Sequence, residues 1–308
     1  MLEINLSGLK LKSPIILASG ILGVSYSSMK RVIDAGAGAV TTKSIGPKPR
    51  KGYKNPSIIE ISSGTFMNAI GLGNPGIDNF VAEIKEAKKH NIPLIVSVFG
   101  DTKEVYLDVA VKAEKAGADA IEINISCPHA EVSSIGIDNN LTYEIVKFLK
   151  KKLKVPLFVK LNPNVTNIGK IAVAAEKAGA DGVVAINTVA AMKIDVNIKR
   201  PILAHGSGGL SGKAIHPIAV KKVYDLYKIL NIPIIGCGGV DSWQDVIEFF
   251  LAGASAVQIG TALYKGAEII SDINEGLVNY LKDNEYESIN DIKGLAHQFE
   301  TQEVPDFD

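Results

Sequence analysis

The chain has 308 residues, of which 46% are hydrophobic and 21% charged, values typical of a soluble globular protein with a large core. Its 33 basic residues balance 33 acidic residues, so no net charge attracts nucleic acid or an anionic membrane. Two cysteines, Cys127 and Cys237, are too few for a disulfide framework or a four-thiolate iron–sulfur site, which indicates a reducing cytoplasm. We expect no signal peptide and no membrane span, because the N-terminus lacks a basic segment before an apolar one and the longest apolar stretch is too short.

The N-terminal residues 1–12 predict a β-hairpin. Hydrophobic residues alternate with polar ones from Leu2 to Leu6 and again from Leu9 to Leu11, and Ser7-Gly8 between them suits a turn. We expect this hairpin to close the floor of the domain.

Two short phrases then alternate along the chain. In one, a helical pattern ends at a glycine that suits a helix C-cap, and a buried apolar run follows: Ala35-Gly-Ala-Gly-Ala-Val40, Ala116-Gly-Ala-Asp-Ala-Ile121, Ala178-Gly-Ala-Asp-Gly-Val183 and Ala252-Gly-Ala-Ser-Ala-Val257. In the other, proline directly precedes the apolar run: Ser13-Pro-Ile-Ile-Leu17, Ile92-Pro-Leu-Ile-Val-Ser97, Val155-Pro-Leu-Phe-Val-Lys160 and Ile232-Pro-Ile-Ile-Gly236.

Together these phrases predict eight strands, near residues 14–18, 38–43, 93–98, 120–125, 156–161, 182–187, 233–237 and 256–260. Helical patterns lie between them, among others at 103–117, 140–153, 167–179, 216–230 and 242–252. Eight β-α units in one α/β chain of this length predict a (β/α)₈ TIM barrel. A doubly wound open sheet is the alternative, although it would more often have fewer strands and a nucleotide fingerprint in its first turn.

Two connections are too long for simple crossovers. Residues 44–74 and 188–215 are rich in Gly, Pro, Ser and Asn, and both begin where a predicted strand ends. Long loops at the C-terminal face of a barrel usually carry function, so we expect the active site there.

Polar side chains end several of the predicted strands. Lys43 and Lys160 each end an apolar run, although lysine is rarely buried without a partner. Either ammonium alone could reach solvent, but two at one mouth favour an anionic or electron-rich ligand. Asn124, Asn187 and Thr188 end two further strands, and Asn68 lies on a long loop. An asparagine amide both donates and accepts hydrogen bonds, which suits a flat heterocyclic ligand. For each asparagine alone, a role in a turn or a helix cap is the alternative.

The last two strands end in glycine-rich sequence. Gly238-Gly239 and Gly260-Thr261 can present bare backbone N–H groups, which form the usual phosphate site of this fold. A tight turn is the alternative for Gly238-Gly239 alone. The two motifs together favour a phosphorylated cofactor.

Cys127 follows a strand end at Asn124-Ile-Ser-Cys-Pro128. A free thiol has a pKa of about 8.5, and nearby lysines would lower it toward that of a useful general base. Nucleophile and inert packing residue are the alternative roles. Cys237 is interpreted as a structural residue. We assign no role to His90, His216 or His297, and we predict no metal site.

Four motifs together resemble the dihydroorotate dehydrogenases, and more narrowly the class 1 catalytic subunits of the NAD-linked type B form, which work with an electron-transfer partner. They are Asn124-Ile-Ser-Cys-Pro128, Met67-Asn-Ala-Ile-Gly-Leu-Gly-Asn-Pro-Gly76, Val159-Lys-Leu-Asn-Pro-Asn-Val165 and Gly208-Gly-Leu-Ser-Gly212. The resemblance extends to about residue 283 and implies a single FMN-binding barrel domain over residues 1–308, with a C-terminal helix and tail from about 284.

The resemblance also implies an activity, the oxidation of dihydroorotate to orotate in pyrimidine (UMP) biosynthesis. Cys127 would be the base that takes the C5 proton while hydride passes to FMN. Substrate would be held by Lys43, Asn68, Gly71, Leu72, Asn124, Asn187 and Thr188. FMN would be held by Ser19, Gly20, Lys43, Ser44, Asn124, Lys160, Ile186, Gly212, Gly238, Gly239, Gly260 and Thr261.

The family further implies partners for the chain. A homodimer is expected, and so is a heterotetramer with a separate electron-transfer subunit. That subunit would carry FAD and a [2Fe-2S] cluster, because this chain has too few cysteines to bind the cluster itself.

The sequence departs from the family pattern after Cys127. His129 stands where most relatives have an asparagine that contacts substrate, and the residues that follow lack the usual basic and glycine-rich run. Cys-Pro-His occurs in dihydropyrimidine dehydrogenases, which are therefore the first alternative. A phosphosugar aldolase or isomerase that uses Lys160 as a Schiff-base lysine is a second, and a non-catalytic binding barrel a third.

Overall fold

The structure is a computed structural model that describes residues 1–125 and 138–299. Cys127, His129 and the acidic C-terminal tail lie outside the described residues.

The strands in chain order are β1 (Ile4–Leu6), β2 (Leu9–Leu11), β3 (Ile15–Leu17), β4 (Ala39–Thr41), β5 (Ile58–Ser62), β6 (Thr65–Asn68), β7 (Leu94–Val98), β8 (Ala120–Asn124), β9 (Leu157–Lys160), β10 (Gly182–Ala185), β11 (Val189–Ala191), β12 (Ile194–Asp195), β13 (Arg200–Pro201), β14 (Gly208–Gly212), β15 (Ile234–Cys237) and β16 (Ala256–Ile259). The α-helices are α1 (Tyr26–Asp34), α2 (Ile77–Lys89), α3 (Lys103–Ala116), α4 (Asn139–Lys150), α5 (Ile168–Lys177), α6 (His216–Tyr227), α7 (Trp243–Leu251) and α8 (Ile269–Asp283). Short 3-10 helices span Lys213–Ile215, Thr261–Lys265, Ile289–Ile292 and Leu295–Gln298.

Eight parallel strands close into a barrel in the order β3-β4-β7-β8-β9-β10-β15-β16. The barrel closes because β16 pairs with β3, with Gln258 opposite Ile16. Buried aliphatic residues fill these strands, and the helices pack outside them. The predicted (β/α)₈ barrel is confirmed, and the open sheet is wrong.

The aspartates of the repeated phrase tie neighbouring units together. The Asp119 carboxylate, just before β8, accepts hydrogen bonds from the Leu94 N–H at 2.7 Å and from Lys88 Nζ at 2.6 Å. Asp181, just before β10, makes the equivalent contacts with the first residue of β9 and the last residue of α4. In these two of the four copies of the phrase, the aspartate therefore links its strand to the preceding strand of the barrel and to the helix before that strand.

The N-terminal hairpin is present and lies at the barrel floor. Strands β1 and β2 pair antiparallel, with Ile4 opposite Leu11. In the turn between them, Ser7 Oγ donates a hydrogen bond to the carbonyl of Asp181 at 2.6 Å. Asp181 precedes β10, so the hairpin covers the N-terminal ends of the barrel strands, as predicted.

The two long connections form a second sheet beside the barrel mouth. Its strand order is β11-β14-β6-β5, and all its pairings are antiparallel. Asn68 at the end of β6 pairs with Gly209 of β14, so residues 141 positions apart meet. Sequence analysis predicted only loops here, because the two connections are rich in Gly, Pro, Ser and Asn and the short strands within them become recognisable only once they pair.

The C-terminal region differs from the expected helix after about residue 284. The helix α8 ends at Asp283, and the residues that follow form two 3-10 turns. Ser288 and Asp291 form a capping box around the first turn, and Gly294 (φ 77°) begins the second. That residues 1–308 form one domain stays a prediction. None of the described helices has the length and apolar character that crossing a bilayer requires.

Candidate active site

A cavity of about 440 Å³ opens at the C-terminal ends of the barrel strands. This volume lies in the range of small-molecule and cofactor sites. Its lining includes most of the residues predicted from the sequence: Ser19, Gly20, Lys43, Ser44, Asn68, Leu72, Asn124, Lys160, Ile186, Asn187, Thr188, Gly212, Gly238, Gly239, Gly260 and Thr261.

One described residue of the predicted set is not part of the cavity lining. Gly71 is outside the lining, although Leu72 next to it belongs to the lining. A side chain at Gly71 would meet the ring of Tyr53 at 2.9 Å, so this glycine allows two segments of the 44–74 connection to approach closely.

A chain of hydrogen bonds fixes the asparagines at the mouth. Asn124 Nδ2 donates to Ser44 Oγ at 3.1 Å, and Ser44 Oγ lies 3.3 Å from Ser19 Oγ and 2.9 Å from Ser97 Oγ. Asn187 Nδ2 donates to Asn124 Oδ1 at 3.5 Å. The network therefore joins five barrel strands (β3, β4, β7, β8 and β10) at or near their C-terminal ends and orients two amides at the same cavity.

Asn68 reaches the cavity from the second sheet. Its Nδ2 lies 3.5 Å from the carbonyl oxygen of Gly209 on the neighbouring strand β14. The pairing of the two long connections therefore places an amide that neither connection could position alone.

Lys160 is buried at the cavity wall, with 6% of its surface exposed. Its Nζ donates to Gln258 Oε1 at 2.5 Å and to Cys237 Sγ at 3.2 Å. In the barrel register Lys160 lies opposite Asn124, so the two side chains share one side of the mouth.

Lys43 is half-buried and lies two residues after the end of β4. Burial lowers the pKa of its ammonium group, because removal from water disfavours the charged form. Among the described residues no carboxylate lies within ion-pair distance of Lys43. An anionic group in the cavity would therefore interact favourably with this lysine.

The ends of β15 and β16 carry the glycine-rich sequence that is predicted to bind phosphate. No described residue accepts a hydrogen bond from the backbone N–H groups of Gly239, Val240, Gly260 or Thr261. Gly239 has φ 71°, and a Cβ there would lie 2.6 Å from the Cβ of His216. This backbone requires glycine and presents several N–H groups at the cavity, as an anion site does.

His216 supports this loop from behind. Its Nδ1 lies 3.0 Å from the carbonyl oxygen of Gly238 and must donate, because a carbonyl only accepts. Its Nε2 lies 2.9 Å from Glu248. Sequence analysis gave His216 no role; its position at the entry to α6 was the available signal.

Sequence analysis also missed three polar residues of the cavity wall. Glu122 and Gln258 lie inside apolar strands, and Cys237, interpreted as structural, accepts the hydrogen bond from Lys160. A polar residue within an apolar barrel strand was the signal for the first two, since alternate positions point into the barrel.

Comparisons with known proteins agree with this geometry. The family model described as Dihydroorotate dehydrogenase matches residues 1–281. The chain belongs to the dihydroorotate dehydrogenase family. This membership favours the resemblance stated above over the aldolase and the non-catalytic barrel.

Curated relatives match over nearly their whole length. A protein of Pyrococcus horikoshii named "Dihydroorotate dehydrogenase B (NAD(+)), catalytic subunit" is 50% identical over 299 residues, which cover 96% of this chain and 98% of the relative. A protein of Methanocaldococcus jannaschii with the same name is 48% identical over 305 residues, covering 97% of this chain and 99% of the relative. A solved structure of Eimeria tenella DHODH in complex with ferulenol superposes on this chain with a TM-score of 0.84. The two sequences are 23% identical, and the superposition covers 97% of this chain and 89% of the other. This likeness supports the fold.

Proposed function

We propose that this chain is the FMN-dependent catalytic subunit of a dihydroorotate dehydrogenase, which oxidises dihydroorotate to orotate in pyrimidine biosynthesis. The observation that supports this best is the single cavity that brings a backbone N–H cluster together with two lysines and three asparagines. The curated relatives that carry this name match nearly the whole chain.

The cavity fits FMN by the chemistry of its donors. The N–H groups at the ends of β15 and β16 suit a phosphate, and the buried ammonium of Lys160 suits the electron-rich edge of a flavin. When bound, FMN supplies the acceptor for the hydride that leaves C6 of dihydroorotate. The residues proposed to hold it are Ser19, Gly20, Lys43, Ser44, Asn124, Lys160, Ile186, Gly212, Gly238, Gly239, Gly260 and Thr261.

Polar residues of the cavity also suit the substrate, and two of them, Lys43 and Asn124, are proposed to contact both ligands. Dihydroorotate is a carboxylate with imide edges, which need both donors and acceptors. Lys43 lacks a described carboxylate partner and can pair with the substrate carboxylate. The residues proposed to bind substrate are Lys43, Asn68, Gly71, Leu72, Asn124, Asn187 and Thr188. Cys127, outside the described residues, is proposed to take the C5 proton.

The test is anaerobic flavin bleaching. The FMN-loaded protein should lose its yellow colour on addition of dihydroorotate, whereas Cys127→Ala should retain FMN but bleach at least about 100-fold more slowly, as expected for loss of a general base. A protein that takes up no FMN would contradict the proposal. Unaltered bleaching by Cys127→Ala would remove the base assignment alone.

Two substrates separate the alternatives. Bleaching by dihydrouracil but not by dihydroorotate would favour a dihydropyrimidine dehydrogenase. Borohydride trapping of a phosphosugar on Lys160 would favour an aldolase, since it requires a Schiff base on that lysine.

We further propose that the chain acts in the cytoplasm with a separate subunit that carries FAD and a [2Fe-2S] cluster and passes electrons to NAD⁺. The printed name of the relatives, a catalytic subunit of an NAD(+) enzyme, supports this. Homodimers and a heterotetramer with that subunit are the proposed assemblies. Co-purification from the native host with an iron-containing protein is the test; a chain that always purifies alone would contradict it.

A further inference from the structure

One buried acid beside the cavity has no role in the function proposed above. Glu122 is 1% exposed and lines the cavity. Its Oε2 accepts a hydrogen bond from Gln258 Nε2 at 2.8 Å, whereas its Oε1 is buried and has no hydrogen-bond partner among the described residues. A buried carboxylate with an unpaired oxygen lowers stability, so its presence at this wall calls for a physical reason.

The contacts of Gln258 fix the orientation of its amide. Lys160 has only donors, so it requires the amide oxygen, which lies 2.5 Å from Nζ. The carboxylate of Glu122 requires the amide nitrogen, which also donates to Thr41 Oγ1 at 3.2 Å. Gln258 is therefore held in one orientation between a cation and an anion.

Glu122 is also the acid best placed to balance Lys160. None of the ion pairs in residues 1–125 and 138–299 includes Lys160. A buried ammonium without a compensating charge is strongly unfavourable. The chain Lys160–Gln258–Glu122 provides that compensation through an intervening amide.

We propose that Glu122 is a positioning residue that balances Lys160 through Gln258 and so sets the electrostatic potential of the cavity toward a bound flavin. This inference rests on the FMN-dependent function proposed above. A reduced flavin is more electron-rich than an oxidised one, so the carboxylate disfavours the reduced form and the ammonium favours it. Removal of the Glu122 charge should therefore raise the midpoint potential of bound FMN.

The experiment measures that potential in three variants. Glu122→Gln keeps the shape and the hydrogen bond but removes the charge, and Glu122→Asp keeps the charge but shortens the side chain. Glu275→Gln makes the same chemical change on the exposed face of α8, outside the cavity lining, and is the matched control. Circular dichroism and the FMN content of each protein are recorded first.

The expected result follows charge and not shape. Glu122→Gln should favour reduced over oxidised FMN by about tenfold, which for a two-electron couple is about 30 mV. Glu122→Asp and Glu275→Gln should stay within about twofold of wild type. If Glu122→Gln does not fold, Glu122→Met takes its place. Methionine is also uncharged and of similar length, so Glu122→Met should raise the midpoint potential of FMN by the same amount.

Two results would overturn the inference. An unchanged potential in the uncharged variants would show that the cavity does not sense Glu122. A larger shift in Glu122→Asp than in Glu122→Gln would show that only the shape of the side chain matters. A wild-type chain that takes up no FMN would instead overturn the proposed function and this inference together, and is recognised before any variant is measured.

Discussion

Replacement of Lys43 by methionine should stabilise the ligand-free chain and weaken substrate binding at the same time. Burial lowers the pKa of Lys43, and no described carboxylate offsets its charge, so the folded state holds this ammonium unfavourably. We expect Lys43→Met to gain about 1 kcal/mol of unfolding free energy, the usual size of such a trade-off between stability and function. For a chain of this length that is a rise in melting temperature of about 2–4 °C.

The pH dependence of the gain has a definite sign. Because the folded-state pKa of Lys43 lies below its usual value of 10.5, the unfolded chain binds more protons between the two values. The wild type therefore becomes more stable as the pH rises through that window, and its deficit relative to Lys43→Met should narrow there. Below the folded-state pKa, where both states bind the proton, the deficit is fully present.

Substrate binding should change in the opposite direction. Loss of one partner of a desolvated charge pair costs about 2–5 kcal/mol, so the Kd for orotate on the FMN-loaded enzyme should rise about 100-fold, measured by titration calorimetry. Lys10→Met, on the exposed side of the floor hairpin, is the matched control and should change neither quantity. A lower melting temperature for Lys43→Met, or an unchanged Kd for orotate, would refute the reasoning.

Two further predictions concern the phosphate end of the cavity. Gly239→Ala would force an alanine into φ 71° with its Cβ 2.6 Å from that of His216, so we expect its unfolding free energy to fall by about 1–3 kcal/mol in thermal melts and its FMN content to fall in absorption spectra. The control Gly206→Ala has φ 90° but no atom within 4 Å of the new Cβ, so it should lose less stability. Equal losses of stability in the two variants would exclude the clash as the cause. Burial opposes ionisation of Asp241, but hydrogen bonds from Lys213 and Lys265 outweigh it and lower its pKa below 3.8. Asp241→Asn should therefore be about 1 kcal/mol less stable than wild type at neutral pH. In urea melts at different pH values, this difference should shrink as the pH falls below about 4 through the folded-state pKa of Asp241. A difference independent of pH would contradict this assignment.

Several features of the site could be predicted from the sequence. The alternating phrases located all eight barrel strands, because a buried parallel strand needs an unbroken apolar run and its helix must end at a definite residue. Lys43, Asn124 and Lys160 were recognisable because a polar residue at the end of such a run has few structural roles. The barrel topology then places all strand ends at one face, so their convergence followed.

Contacts between distant parts of the chain were not predictable in this way. The second sheet pairs Asn68 with Gly209, and neither strand has the apolar alternation that identifies a strand by itself. The path from Lys160 through Gln258 to Glu122 joins side chains 98 and 136 residues apart, and it exists only because the barrel closes.

The sequence by itself therefore determined the barrel, its mouth and the kind of ligand that the mouth suits. Only the tertiary structure decided which polar side chains balance each other inside it. The physical reason is that burial patterns are local and repeat along the chain, whereas a hydrogen bond across the barrel depends on register and closure, which involve the whole chain at once.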